Sequence, residues 1–177
     1  MGVEEIIAAA GVAKMTFYRH FPSKQDLILA FLERREAQWT RAWLEQDVRA
    51  RASDGRGRLL AIFDVFDEWF HRPDFEGCSF INVLLEHSEL RDPVRAASMM
   101  HLANIRGLLC EFAEDANFRD PEDLSRKWHI LMKGSIVARG EGDLRAASRA
   151  QDIGRALLAA ESDRLTPPVR EDPGLEV

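Results

Sequence analysis

From residue 3 to residue 163 the apolar side chains recur at three- and four-residue spacings, and no stretch keeps the two-residue period of a strand for long. That regularity restricts the chain to an all-α fold. Its punctuation comes from Gly11, the run SDGRG at 53–57, Pro73, Gly77, Pro93, Pro121, Gly140 and Gly142. Between these marks the pattern predicts helices at 3–10, 13–20, 23–53, 56–71, 78–90, 93–115, 121–140 and 144–163. The chain is long enough, at 177 residues, to bury a substantial core. No run of about 18 uncharged apolar residues occurs, so no membrane partner is expected. The opening MGVEEIIAAAG has no basic n-region. Two cysteines, Cys78 and Cys110, are far too few for a disulfide framework. A cytoplasmic setting is the expectation.

Net charge argues against indiscriminate coating of nucleic acid, because the total is −6. Its distribution is more informative. Residues 1–35 carry Lys14, Arg19, Lys24, Arg34 and Arg35 against Glu4, Glu5, Asp26 and Glu33, which nets +1 and leaves −7 for the remainder. Between 14 and 24 there are three basic side chains and no acidic one. A small cationic head on an acidic body is the electrostatic layout. Within the head, Val3, Ile6, Ile7 and Ala10 share one side of a short helix that Gly11 can stop. A second short helix follows, with Phe17 and Phe21 at i, i+4 on one face and Lys14, Met15, Thr16, Tyr18, Arg19 and His20 bordering or leaving that face. Ser23 followed by Asp26 has the capping-box form, which starts a third helix. That helix keeps Leu27, Ile28, Phe31, Leu32, Trp39, Trp43 and Leu44 on an apolar side and spans roughly 40 Å at 1.5 Å per residue. Two short helices about a glycine turn, the second exposing basic and hydroxyl groups while burying aromatics, make a helix-turn-helix suited to the major groove of DNA.

The stretch VEEIIAAAGVAKMTFYRHFPSKQDLILAFL, residues 3–32, resembles the DNA-binding head of the tetracycline-repressor (TetR) family. That family's pattern is an I-A-x-x-A-G-V turn, a T-x-Y-x-x-F recognition helix and an S-K-x-x-L start to the next helix. The resemblance implies a head at 1–35, a helical effector-binding and dimerisation domain at 36–165 and a flexible tail at 166–177. It implies DNA contacts from Lys14, Met15 and Thr16 at the exposed start of the recognition helix, from Tyr18 and His20, and from Lys24 facing a phosphate. Two positions depart from the pattern. Ala13 stands where Ser or Thr commonly caps the helix, which weakens the cap by about 1 kcal/mol. Met15 replaces a usual small residue.

The body carries no catalytic constellation: His71, His87, His101 and His129 are scattered without metal-ligand spacing, and neither a nucleophile elbow nor a phosphate loop appears. No cofactor, no metal and no enzymatic activity are expected. Aromatic and Met residues exceed the needs of an aliphatic core, and Phe66, Trp69, Phe70, Phe80, Met99, Trp128 and Met132, with His101 and Asn82 as polar members, are the candidate lining of a pocket for a small apolar effector. Small residues at 121–163, among them Gly134, Ser135, Ala138, Ala156 and Ala160, let helix pairs approach closely and predict a homodimer there. A double-stranded palindromic operator would match its two-fold symmetry.

In the family a further helix precedes the helix-turn-helix and packs across it. Here Val3 already begins the second, so the sequence is expected to lack that first helix by truncation or a misassigned start, with about 25 to 40 residues upstream. Ile6, Ile7, Phe17, Phe21 and Phe31 would then lose one wall of their core. The function expected is a ligand-responsive regulator, most often a repressor released from DNA by a small molecule. The alternative is a ligand- or partner-binding helical protein that no longer binds DNA.

Overall fold

The computed structural model describes residues 2–163, and every regular element among them is helical. The tail expected at 166–177 lies outside the described residues. Three helices make the head: α1 (Val3–Ala10), α2 (Lys14–His20) and α3 (Lys24–Arg35). Gly11 ends α1 in the left-handed region at φ +64°, which a side chain would penalise, and its N–H closes onto the carbonyls of Ile7 and Ala8. Ser23 caps α3, its Oγ accepting the Asp26 N–H at 3.2 Å.

α3 does not stop at Arg35. It runs on as a wide-turned π segment, Glu36–Glu45, and then as α4 (Gln46–Arg51). The single long helix expected at 23–53 is therefore one run with ten residues of wider turns inside it, which the periodicity did not announce. The reason lies in the spacing of Trp39 and Leu44, both buried. Five residues advance about 140° around an ordinary α-helix, which would turn one of them outward. Wider turns with i→i+5 geometry keep both inward, between Leu32 and Val48. The boundary expected at residue 35 falls where the turns widen.

Five more helices form the body: α5 (Gly55–Phe70), α6 (Ser79–Glu86), α7 (Pro93–Asp115), α8 (Pro121–Gly140) and α9 (Ala146–Asp163). α7 and α8 begin as the sequence predicts, each with an aspartate cap and proline in the first turn: Asp92 accepts from Val94 N–H at 2.8 Å and Asp120 from Asp123 N–H at 3.0 Å. α6 is shorter than the expected 78–90. Residues after Glu86 are instead committed to a clasp, in which His87 Nδ1 meets Asp92 Oδ2 at 2.5 Å and Arg95 donates to the carbonyls of Leu84 and His87.

α5 lies at the centre, packed on α7 and α9, and Leu59, Ile62, Phe63, Val65, Phe66 and Phe70 are all buried. The Trp128 ring of α8 stacks near Phe63 at 5.5 Å and lies against Gly154 of α9. A closer approach occurs at Gly55, where an added Cβ would stand 2.0 Å from the Phe112 carbonyl and 2.8 Å from the Ala116 nitrogen. Arg49 and Arg58 lie against the Phe112 ring at 5.1 and 5.7 Å and pair with Glu111 and Asp115. Backbone cannot yield as a side chain does, so Gly55→Ala is expected to destabilise the protein by about 3 kcal/mol, read as a lowered denaturation midpoint. An unchanged midpoint would refute that close approach.

Candidate nucleic-acid interface and body clefts

α2 divides as its sequence requires. Phe17 is buried, edge-on to Tyr18 at 5.3 Å and near Phe21 at 5.8 Å. On the outward side Met15 is 82% exposed, and Lys14, Tyr18, Arg19 and His20 are exposed beside a half-buried Thr16. Lys24 stands exposed at the first turn of α3. Five of the six residues expected to touch DNA thus stand on α2, and the sixth, Lys24, stands at the start of α3. Arg19 was not among them, yet it lines a shallow notch with Met15, Thr16 and Tyr18. Its signal was spacing: Arg19 follows Met15 by four residues and Thr16 by three.

Electrostatics qualify this surface. Lys14 Nζ lies 2.6 Å from Glu4 Oε1 of α1, and that hydrogen bond, with the carboxylate's charge, holds the ammonium above the usual lysine range. Both groups are exposed, so the pair competes with water and with any phosphate. Ala13 occupies the N-cap of α2 and provides no side-chain acceptor.

The nine candidate effector residues do not converge on one cavity. Phe66, Trp69, Phe70, Phe80, Trp128 and Met132 are buried and packed against core neighbours. Met99, expected in a pocket, is 52% exposed on the outward side of α7. His101 is buried, stacked on Phe80 at 5.0 Å with Nδ1 3.6 Å from Glu36 Oε2. Trp69 lines a cleft of about 480 Å³ with Trp39, Trp43, Arg35 and Arg72. Asn82, which is exposed, lines a different cleft of about 420 Å³ between α6 and α8. Hydrophobicity marks such residues as buried without saying what they bury against, and here the rings chiefly bury one another.

Neither thiol is a ready nucleophile. Burial pushes Cys78 up, and burial with Glu114 pushes Cys110 up. Among the described residues no group of three His, Cys, Asp or Glu side chains is placed to hold a metal ion. Likewise, no described helix is long and apolar enough to cross a membrane.

A helix-turn-helix head joined by one helix to a helical body defines the class, and comparisons agree. Residues 1–31 match the profile described as bacterial regulatory proteins, tetR family. A solved TetR-family transcriptional regulator from Streptomyces coelicolor superposes with a TM-score of 0.83 at 26% identity, covering 92% of this chain and 85% of that one. The head is thus similar to the tetR-family profile and the whole fold to a solved TetR-family regulator. Among curated relatives, the HTH-type transcriptional repressor NemR of Escherichia coli is 26% identical over 116 residues, which cover 65% of this chain and 58% of NemR. The transcriptional regulator AcuR of Cereibacter sphaeroides is 28% identical over 145 residues, 77% of this chain and 66% of AcuR. The matched region therefore spans about three fifths to two thirds of these relatives' lengths. The solved reduced form of NemR shares the fold, with a TM-score of 0.78 at 23% identity, covering 88% of this chain and 85% of that one.

One buried group in the body makes stability depend on pH. His129 is 3% exposed, and burial, then the charges of Lys133 and Arg106, lower its pKa from 6.5 to about 3. Unfolded chains bind a proton below about pH 6.5 that the folded chain refuses until about pH 3. Its contribution is fully present above that upper value and is lost as pH falls through the window, on the order of 5 kcal/mol in all. Urea unfolding from pH 7 to pH 4 should show a slope that His129→Phe flattens. Equal slopes in the two proteins would contradict the burial argument.

Proposed function

We propose that this chain is a cytoplasmic, ligand-responsive transcriptional repressor that binds a palindromic double-stranded operator as a homodimer and leaves it when a small molecule binds the body. The observation that carries the reading is the set Lys14, Met15, Tyr18, Arg19 and His20 exposed on α2 around a half-buried Thr16, with Lys24 exposed at the start of α3, in a head that nets +1 while the remainder of the chain nets −7. Affinity comes from phosphate contacts and specificity from the few side chains that reach base edges. NemR is named a repressor and AcuR a regulator, which supports the same reading.

The dimer face is the outer side of α8 and α9. Ile130, Val137 and Ile153 stand 68%, 54% and 56% exposed, beside exposed Gly134, Ala156 and Ala160. Of the small residues expected there, Ser135 is buried against its own subunit and takes no part. An apolar face with small residues at its centre is what a four-helix interface between two copies requires. Light scattering at micromolar concentration should report twice the chain mass, and a monomer would overturn this assignment.

Phosphate contacts are separable by salt. Tyr18→Phe and Lys24→Ala should weaken binding to all duplex sequences alike, with Lys24→Ala flattening the plot of log affinity against log salt by about one unit. Glu4→Gln frees Lys14 and should strengthen binding instead. Affinities unchanged in all three would remove the docking mode.

A further inference from the structure

The 420 Å³ cleft between the start of α6 and the end of α8 is walled by Phe75, Ile81, Ile136 and Val137, with Cys78, Asn82 and Arg139 as placed polar groups. Apolar walls with a few convergent polar atoms are the make-up of small-molecule sites. Arg139 is the informative member. Its Nε donates to the Phe70 carbonyl at 2.5 Å and its guanidinium covers the Phe75 ring at 4.8 Å. Among the described residues no carboxylate pairs with it, so the fork of its terminal amino groups faces no acceptor, although the side chain is half-buried. A charge withdrawn from water is costly unless something of opposite sign answers it.

A second cation repeats the imbalance. Lys133, also half-buried and without an ion pair among the described residues, precedes Ile136 and Val137 by one turn on α8, and its charge reaches Cys78 in the cleft wall. Burial and the nearby Arg106 hold its ammonium below the usual lysine range. Glu76 is the acidic member of the wall; its side chain is exposed, and its backbone carbonyl already accepts from Asn82 at 3.3 Å.

We infer that this cleft binds a small molecule with an apolar body and one carboxylate, the carboxylate taken by the Arg139 fork and the apolar body by Phe75, Ile81, Ile136 and Val137. The inference rests on the regulator reading above and supplies the chemical class of its effector. A planar fork suits a carboxylate because two parallel N–H bonds fit its two oxygens. The position also gives the ligand a route to the head. Arg139 lies on Phe75, Phe75 on Trp69 at 4.8 Å, and Trp69 on Trp39 at 5.4 Å, and Trp39 belongs to the π segment continuous with α3. A carboxylate that draws the guanidinium off the Phe75 ring loosens the first link of that packed chain.

The same rings provide the measurement. Tryptophan fluorescence of the whole protein is titrated with sodium butyrate and sodium benzoate, and with butyramide and benzamide, at matched ionic strength. The expected result is a saturable change with the carboxylates at millimolar concentration and at least a tenfold weaker response to the amides. Arg139→Gln should lose the response. Because Arg139 also holds the Phe70 carbonyl, a second variant guards against misfolding. Gly140→Leu places a side chain at the mouth of the cleft where a Cβ meets nothing within 4 Å, so the fold persists while the response disappears. Equal responses to acids and amides, a response unchanged in both variants, or no saturable response in the folded protein would each overturn the inference. Binding to duplex DNA from beside its own gene is measured on the same samples. Its persistence without a carboxylate response overturns the cleft assignment alone, whereas its absence in the unaltered protein overturns the regulator reading.

Discussion

Trp39 is where the helix leaving the head is fastened to the body. Its ring meets Trp43 and Trp69 at 5.4 Å each and Phe66 at 6.3 Å, so one residue of the connecting helix is joined to the middle and end of α5. Buried aromatic pairs contribute about 0.5 to 1.5 kcal/mol each beyond the area they remove from water, so this cluster outweighs any exposed ion pair nearby. α1 packs on α2, while α3 and the π segment pack on α7. The direction in which α2 points is thus set through α3, and α3 is aimed by the ring of Trp39. Widening the turns at Glu36–Glu45 is the geometric condition for Trp39 and Leu44 to be buried together.

How far the sequence foretold this varies by the kind of signal. α7 and α8 were legible to the residue because Asp-Pro pairs mark their starts by two mechanisms at once, a side-chain acceptor and a ring that fixes φ. The head was legible because Gly11, Phe17, Phe21 and Ser23 each meet a local requirement that few other residues satisfy. α6 was overextended, because its end is decided by the clasp of His87, Asp92 and Arg95, a tertiary arrangement that periodicity does not carry. The π turns were hidden for a related reason. Apolar residues at five-residue spacing read as an ordinary helix with an irregular face until a partner surface demands that both point inward.

The candidate sites divided along the same line. The residues proposed to face DNA are exposed on α2 and at the start of α3, a placement that spacing predicts well. The effector residues were chosen for being aromatic or sulfur-containing, and burial satisfied most of them inside the core. Arg139 escaped notice because a basic residue in the last turn of a helix reads as a partner for the helix dipole. Its lack of a carboxylate among the described residues becomes visible only when the neighbours are in place.

The segment that joins head to body is also where polar groups are least satisfied. Among the described residues Trp39 Nε1 and Thr40 Oγ1 are buried without hydrogen-bond partners, as is Ser98 Oγ of the adjoining α7, while Glu36 Oε2 and His101 Nδ1 face each other at 3.6 Å. Each such group forfeits about 1 to 3 kcal/mol of hydration that the packing must offset. Penalties of that size, gathered on the π segment and the helix beside it, leave the present seating of the segment favoured by less than its aromatic contacts alone would give. An element held firmly by rings and opposed by unpaired dipoles needs only a modest external contribution to reseat. A ligand binding energy of a few kcal/mol is of that order. The geometry that fixes the head is therefore also the one most easily reset, and any reseating of Trp39 is carried by an unbroken helix to Lys24 and the surface beside it.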